Sequence, residues 1–266
     1  MWAALREAEA RSPVKADGRL TQLHPGIVTF LMLRENTVVT RAVVPDVPDE
    51  EWDDLLDRAV GSGSLHPLEA SFARGLPAPR RATFVAGRQA LRDALGTVAP
   101  AAGASLEAPI LRTHRGAPAL PPVVTGSVSH KRTLAMAAVA PRVGTLQHIG
   151  LDLERRPQAD DLRRPSIARK ILTGREYEYV QQWGDDTLAG REHVLVHFAL
   201  KEAVYKAIDP FVERYVRFTE VELALAGDGL PQVTLLLPEA SVADVRVEAG
   251  WRMEGEWIVA WAESHR

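Results

Sequence analysis

Two pairs of charged residues in this 266-residue chain have spacings that can do chemistry. The first lies in His148-Ile149-Gly150-Leu151-Asp152-Leu153-Glu154. Alternate side chains of a strand share a face, so Ile149, Leu151 and Leu153 point into a core while Asp152 and Glu154 point together to the other side. Two residues of strand rise set their Cα atoms roughly 6.5 Å apart. Both carboxylates then reach one small cation, or else the pair decorates a solvated face. The second pair lies in Phe198-Ala199-Leu200-Lys201-Glu202-Ala203-Val204-Tyr205-Lys206-Ala207. Glu202 and Lys206, four apart, stand one above the other on a helix. On a wet surface that is an ordinary ion pair worth only a few tenths of a kcal/mol. The residues around it are apolar on nearly every side, however, so the helix reads as mostly buried. A buried carboxylate and ammonium need further neutralisation, which a metal beside Glu202 and a phosphate beside Lys206 would supply.

Two further segments suit an anion. Gly126-Ser127-Val128-Ser129-His130 offers backbone N–H groups, two hydroxyls and an imidazole at a strand entrance, although the same residues also make a plain turn. Arg80 and Arg81 precede a helix, and Arg88, seven residues after Arg81, shares its face. Guanidinium groups so placed bind phosphate bidentately or simply face solvent.

The elements that must position these residues follow from pattern and punctuation. Residues 27–33 and 37–46 read as strands, the second stopped by Pro45 and Pro48. Phe84, Leu91 and Leu95 form a helical stripe over about 81–95, with Gly96 as the stop. Residues 97–126, rich in Ala, Gly and Pro, read as a long surface connection. Residues 133–140 are apolar on both faces, as in a covered strand. After a break at 141–144 come the acidic strand, a capping box of Thr173 and Glu176, and a helix over about 192–208 ending at Pro210. The tail, 215–261, reads as an antiparallel meander with turns at Asp228-Gly229 and Gly250. Two α+β halves, 1–145 and 146–266, are the expected organisation.

Composition narrows the partners. Thirty-two Lys and Arg against thirty-five Asp and Glu give a net charge of −3, which offers no basic excess for nucleic acid. Cysteine is absent, which removes disulfides, thiolate metal sites and cysteine nucleophiles. No apolar run approaches the ~20 residues of a membrane helix, and the N-terminus has no apolar leader core, so a cytoplasmic protein with no membrane role is expected.

Taken in order, these segments resemble the surfactin-type 4′-phosphopantetheinyl transferases, and the branch containing the enterobactin-synthesis enzymes in particular. Gly150-Leu151-Asp152-Leu153-Glu154, Phe198 to Lys206, Gly126 to His130 and Phe84-Val85-Ala86-Gly87-Arg88-Gln89-Ala90 each match a family motif. Gly116-Ala117-Pro118-Ala119-Leu120-Pro121 matches a fifth in part. Leu120 stands where an aromatic is usual, and Lys131 where a cysteine is common. The resemblance implies transfer of the phosphopantetheine arm of coenzyme A to a serine of an apo acyl or peptidyl carrier protein, with release of 3′,5′-adenosine diphosphate. It implies Mg2+, with Mn2+ equally suited, held by Asp152, Glu154 and Glu202. Glu202 becomes the general base, directly or through a water, and Lys206 the charge stabiliser or proton donor at the leaving phosphate. Ser129, His130 and Arg88 fall to the adenosine 3′-phosphate, with Arg81 and Arg115 as further candidates. Lys201 falls to a coenzyme A phosphate or a neighbouring acid, and His148 to a structural role. The implied fold is a monomeric pseudo-dimer of two similar halves with coenzyme A between them. Broad acceptance of fatty acid, polyketide, nonribosomal peptide and siderophore carriers follows by the same resemblance. The arginines at 155, 156, 163 and 164 offer an acidic carrier a docking face or form a charged loop. Two rivals use the same residues: a magnesium-dependent hydrolase of coenzyme A, and a binding module without turnover.

Overall fold

The computed structural model describes residues 36–103, 105–142, 147–184, 186–225, 230–238 and 242–266. Two three-stranded antiparallel sheets dominate it. The first contains β1 (Val38–Val43), β2 (Val124–His130) and β3 (Leu134–Pro141) in the order β1-β3-β2. The second contains β4 (Gln147–Arg155), β7 (Arg246–Glu254) and β8 (Trp257–His265) in the order β4-β8-β7. A separate two-stranded ribbon joins β5 (Val221–Ala224) to β6 (Gln232–Leu235). The helices are α1 (Trp52–Gly61), α2 (Pro67–Arg74), α3 (Ala78–Ala102), α4 (Ala168–Ile171), α5 (Gly174–Val180) and α6 (Leu188–Val212).

Side-chain alternation explains the layering. In β3, Ala135, Ala137 and Val139 pack with Phe84, Leu91 and Leu95 of α3. Met136, Ala138 and Ala140 point the opposite way, onto Ile149, Leu151 and Leu153 of β4. In β8, Ile258, Ala260 and Ala262 meet α6, whereas Val259 and Trp261 join the inter-sheet core. The layers therefore run helix, sheet, sheet, helix, and β3 is covered on both faces as its apolar run predicts.

The two halves repeat one plan. Each begins with an edge strand (β1, β4), passes through a 25-residue helix (α3, α6) and ends in a hairpin whose second strand lies at the sheet centre. Each long helix carries a proline two residues before its end, Pro100 and Pro210, and closes on a left-handed residue, Gly103 at φ 68° and Glu213 at φ 50°. This internal repetition is the α+β pseudo-dimer expected of the sequence. The proposed boundary at 145/146, the strand at 27–33 and the turn at Asp228-Gly229 lie outside the described residues.

Several local expectations are corrected. The first long helix runs past Gly96 because Val98 and Ala99 continue its buried face, which outweighs the ~1 kcal/mol cost of an internal glycine. The surface connection therefore begins near 103, and it buries Ile110. The second long helix runs through Pro210, where a proline so near the end breaks little of the ladder. Gly250 is no turn: it sits inside β7, where a Cβ would lie 2.5 Å from the Trp261 ring. The hairpin turn falls at Gly255, φ 57°. The tail is not one meander, since β5 and β6 pair apart from the main sheet. Thr173 and Glu176 form the capping box as read. Among the described residues, no helix is long and apolar enough to cross a membrane.

Candidate active site

The site lies where β2, the last strand in order of the first sheet, runs beside β4, the first in order of the second. Gly150 brings α6 down onto β4: a Cβ there would stand 1.8 Å from the carbonyl oxygen of Ala203. That close approach places Glu202 and Lys206 of α6 above the acidic face of β4. Asp152 is 4% exposed and Glu154 8%, so the solvated-face alternative does not hold.

Asp152 joins three motif segments. Its Oδ1 accepts hydrogen bonds from Ser129 Oγ at 2.9 Å and Lys206 Nζ at 2.7 Å. Lys206 also donates to the Leu151 carbonyl at 2.8 Å. The other carboxylate oxygen, Oδ2, is buried and has no hydrogen-bond partner among the described residues. Glu154 accepts a hydrogen bond from Lys131 Nζ. Burial pushes the Glu154 carboxyl above its usual range, against the lowering charge of Lys131. Burial raises Glu202 as well, offset first by Lys206, while the charge of Asp152 raises both glutamates further. Both glutamates thus feel the charge of Asp152. Among the described residues, no three His, Asp or Glu side chains are gathered closely enough to enclose a metal ion. Ammonium groups pair with Asp152 and Glu154 instead. The three side chains nonetheless offer only carboxylate oxygen, and Asp152 Oδ2 is buried without a hydrogen-bond partner among the described residues, a donor chemistry that suits a hard divalent ion.

The basic side of the seam gathers around His130, whose ring stands over Gly87 of α3. Burial and then the positive charges of Lys206, Lys131 and Arg80 push the imidazole pKa down. Arg88 is almost fully buried, with its guanidinium 4.3 Å from the Phe84 ring centroid. Among the described residues its only hydrogen bond is a long one to the Leu111 carbonyl and its Nε has none, and burial pushes its pKa down to about 10. Arg88 feels the opposite charge of Glu69 and the like charges of Arg112 and Arg92, and no carboxylate bonds it among the described residues, so its guanidinium is able to take an anion.

Comparison with known proteins bears on this arrangement. Residues 148–262 match the 4′-phosphopantetheinyl transferase superfamily model, and residues 68–140 match the 4′-phosphopantetheinyl transferase N-terminal domain model. The chain is 31% identical over 198 residues to the 4′-phosphopantetheinyl transferase Svp of Streptomyces mobaraensis, an alignment spanning 73% of each chain. The chain belongs to the 4′-phosphopantetheinyl transferase family. It is also 27% identical to the 4′-phosphopantetheinyl transferase Npt of Nocardia iowensis, over 65% of this chain and 75% of that one. An ACPS–CoA complex from Chronobacterium ammoniagenes shares 22% identity at a TM-score of 0.37, covering 45% of this chain and 96% of that one. As a phosphopantetheinyl transferase, the enzyme moves the phosphopantetheine arm of coenzyme A onto an apo carrier protein.

Not every predicted residue of the transferase faces this seam. Lys201 is 1% exposed, and its ammonium donates to Glu176 at 2.6 Å and to the Ile171 and Phe218 carbonyls at 2.9 Å each. All three donors are spent, so Lys201 holds a neighbouring acid and is withdrawn from coenzyme A. Arg115 forms a two-bond pair with Asp209 and donates to the Glu213 carbonyl at 3.0 Å, which makes it a strut from the 103–123 connection to the end of α6. Arg81 donates to the Leu76 carbonyl at 3.1 Å and lies 5.5 Å from the Trp52 ring centroid, anchored within the first half. Ser129 gives its hydroxyl to Asp152 and accepts from the Leu153 N–H at 3.3 Å, so it orients a carboxylate rather than a 3′-phosphate. His148 stacks edge-on against Phe211, the structural role expected. Lys131 is the participant that motif reasoning missed. The signal was present: Ser129 and Lys131, two apart on β2 and its turn, meet Asp152 and Glu154, two apart on β4.

Proposed function

We propose that Asp152, Glu154 and Glu202 hold a Mg2+ ion during transfer, with Mn2+ an effective substitute. When bound, the ion would supply positive charge that offsets the negative charge growing on the leaving phosphate. Arg88 and His130 bind the adenosine 3′-phosphate. Glu202 accepts the proton of the carrier serine hydroxyl. A carboxyl raised by burial is a better base than an exposed one and suits that step. The serine oxygen then forms a bond to the phosphorus carrying the pantetheine, and the pyrophosphate P–O bond breaks. Lys206, with two of its three ammonium hydrogens on Asp152 and Leu151, offers the third to the departing 3′,5′-adenosine diphosphate.

The observation that carries this reading is the single carboxylate, Asp152, tied to both Ser129 and Lys206 while its second oxygen stays buried and unpaired. The repeated half takes the place of a partner subunit, so the chain acts as a cytoplasmic monomer divided near residue 145. Its carriers extend across fatty acid, polyketide, nonribosomal peptide and siderophore synthases. Arg155 and Arg156 are paired with Glu256 and Glu192; Arg163 and Arg164, each more than four-fifths exposed and only loosely paired with Asp160 at 3.6 Å and Asp161 at 3.9 Å, are the two that meet an acidic carrier helix.

The test combines the chain, magnesium, coenzyme A and an apo carrier domain, read by intact mass. Transfer adds a phosphopantetheine mass to the carrier, and Asp152→Ala or Glu202→Ala abolishes the gain while circular dichroism shows a folded chain. Loss of coenzyme A without carrier modification would instead establish a hydrolase. Full turnover by either variant would remove the metal assignment.

A further inference from the structure

Lys131 is the residue of this seam to which nothing so far gives a task. It follows His130 directly, and its backbone is fixed: its N–H donates to the Leu134 carbonyl at 2.8 Å, closing the β2–β3 hairpin. Its ammonium bonds Glu154, and its charge also lowers the carboxyl pKa of Glu202 on the facing helix. One lysine therefore compensates two of the three acids proposed to hold the ion. The Glu154 side chain is 11% exposed and that of Lys131 36%, so the acid is fixed in the interior while the lysine keeps an open side toward solvent. An ion and an ammonium cannot both take the same carboxylate lone pairs without repulsion between the two cations. The flexible four-carbon stem of a lysine lets its ammonium leave without moving the backbone.

We propose that Lys131 is a built-in competitor for Glu154: the ammonium occupies the carboxylate until a divalent ion displaces it, so Lys131 sets the affinity of the metal site. The inference rests on the proposed metal reading. Lys131 is accordingly a positioning residue, acting through Glu154. Two physical consequences separate this task from a structural one. Removing the ammonium exposes Glu154 to the ion and tightens divalent binding, whereas loss of a merely structural ion pair would leave binding unchanged or weaken it. The gain must also pass through Glu154, so it disappears when that carboxylate is neutralised.

The experiment is Mn2+ titration of the full chain, free of coenzyme A, followed by the electron paramagnetic resonance of the unbound ion. Lys131→Met, which keeps the length of the stem, is expected to bind Mn2+ about tenfold more tightly than the parent, a gain of roughly 1.4 kcal/mol. In a Glu154→Gln background the same change is expected to alter the Mn2+ affinity less than twofold. Lys131→Arg, which restores the charge, returns the affinity toward the parent value. Equal Mn2+ affinity of the parent and Lys131→Met, both folded by circular dichroism, overturns this proposal and leaves the metal site standing. A tenfold gain that persists with Glu154→Gln overturns it too. Absence of Mn2+ binding by parent and variant alike overturns the metal reading itself, and the competition with it.

Discussion

Gly150→Ala tests whether the site depends on the close seating of α6 on β4. The added Cβ would lie 1.8 Å from the Ala203 carbonyl oxygen and 2.9 Å from the Ala207 backbone nitrogen. An ordinary contact begins near 3.4 Å, so the helix must rise by about 1.6 Å over this point, taking the difference 3.4 − 1.8. Both obstacles are backbone, so no side chain can rotate away. Overpacking a core costs about 1–3 kcal/mol, and a clash against rigid backbone belongs at the upper end. At ~2–4 °C per kcal/mol for a chain of this size, Tm falls by roughly 6–12 °C. The functional loss is larger than the stability loss implies. Glu202 and Lys206 ride on the displaced helix, and a 1 Å misplacement of catalytic groups costs on the order of 10²-fold in rate. Carrier modification measured by mass at 15 °C, well below either melting point, should therefore drop about 100-fold in kcat/KM. Gly96→Ala is the control: Gly96 lies within α3 and has nothing within 4 Å of its Cβ position, so that variant gains about 0.5–1 kcal/mol and retains full activity. A Gly150→Ala protein with parental Tm and rate would refute the account of how α6 and β4 are held.

Three other predictions follow from residues already placed. Lys201→Met leaves Glu176 buried beside an uncharged side chain, and the loss of a buried pair costs about 3–5 kcal/mol in chemical denaturation; kcat/KM of the remaining folded enzyme stays within a few-fold of the parent, and a selective rise in the coenzyme A KM would restore Lys201 to the cofactor. His148, pushed down to about 4 by burial and the charge of Arg142, stays neutral when folded, whereas the unfolded histidine titrates near 6.5. Its contribution to stability is whole above about pH 6.5 and is lost as pH falls toward 4, so the Tm of the parent drops more steeply across that window than that of His148→Phe, and parallel curves would exclude it. Reversing both Arg163 and Arg164 to Glu raises the carrier KM several-fold at unchanged coenzyme A KM, and an unchanged carrier KM would move the docking face elsewhere.

Legibility differed from one kind of feature to another. The acidic strand was readable because alternation in Ile149-Leu151-Leu153 fixes which face the carboxylates take, and burial against α6 leaves that alternation intact. The long helices were recognisable but their ends were not, since Gly96 and Pro210 carry local penalties that the buried faces of α3 and α6 override. Lys201 matched a family motif that allowed either a phosphate or a neighbouring acid, and Arg115 was a phosphate candidate by resemblance. Which anion a cation meets is decided by partners far along the chain: Asp209 lies 94 residues from Arg115, and Glu176 lies 25 from Lys201. No local pattern carries that information.

The position of the site follows from the sheet order. In both sheets the strand at the seam is an edge strand, β2 in one and β4 in the other, and an edge leaves backbone groups and polar side chains without a ladder partner. Here the facing edge and the covering helix satisfy β4: the Leu153 N–H donates to Ser129 Oγ of β2, and the Leu151 carbonyl accepts from Lys206 of α6. Asp152 and Glu154 persist in the interior at this line because Ser129 and Lys131 bond them from the opposite half, and Asp152 Oδ2 is buried with no hydrogen-bond partner among the described residues. The seam thus joins side chains of both halves around Asp152 and Glu154. Arg115, spanning from the first half to Asp209 and Glu213 at the end of α6, and Arg41 of β1, paired with Glu254 of β7, hold that seam from outside. A change that parts the halves there would break the Ser129–Asp152 and Lys131–Glu154 bonds without altering either carboxylate.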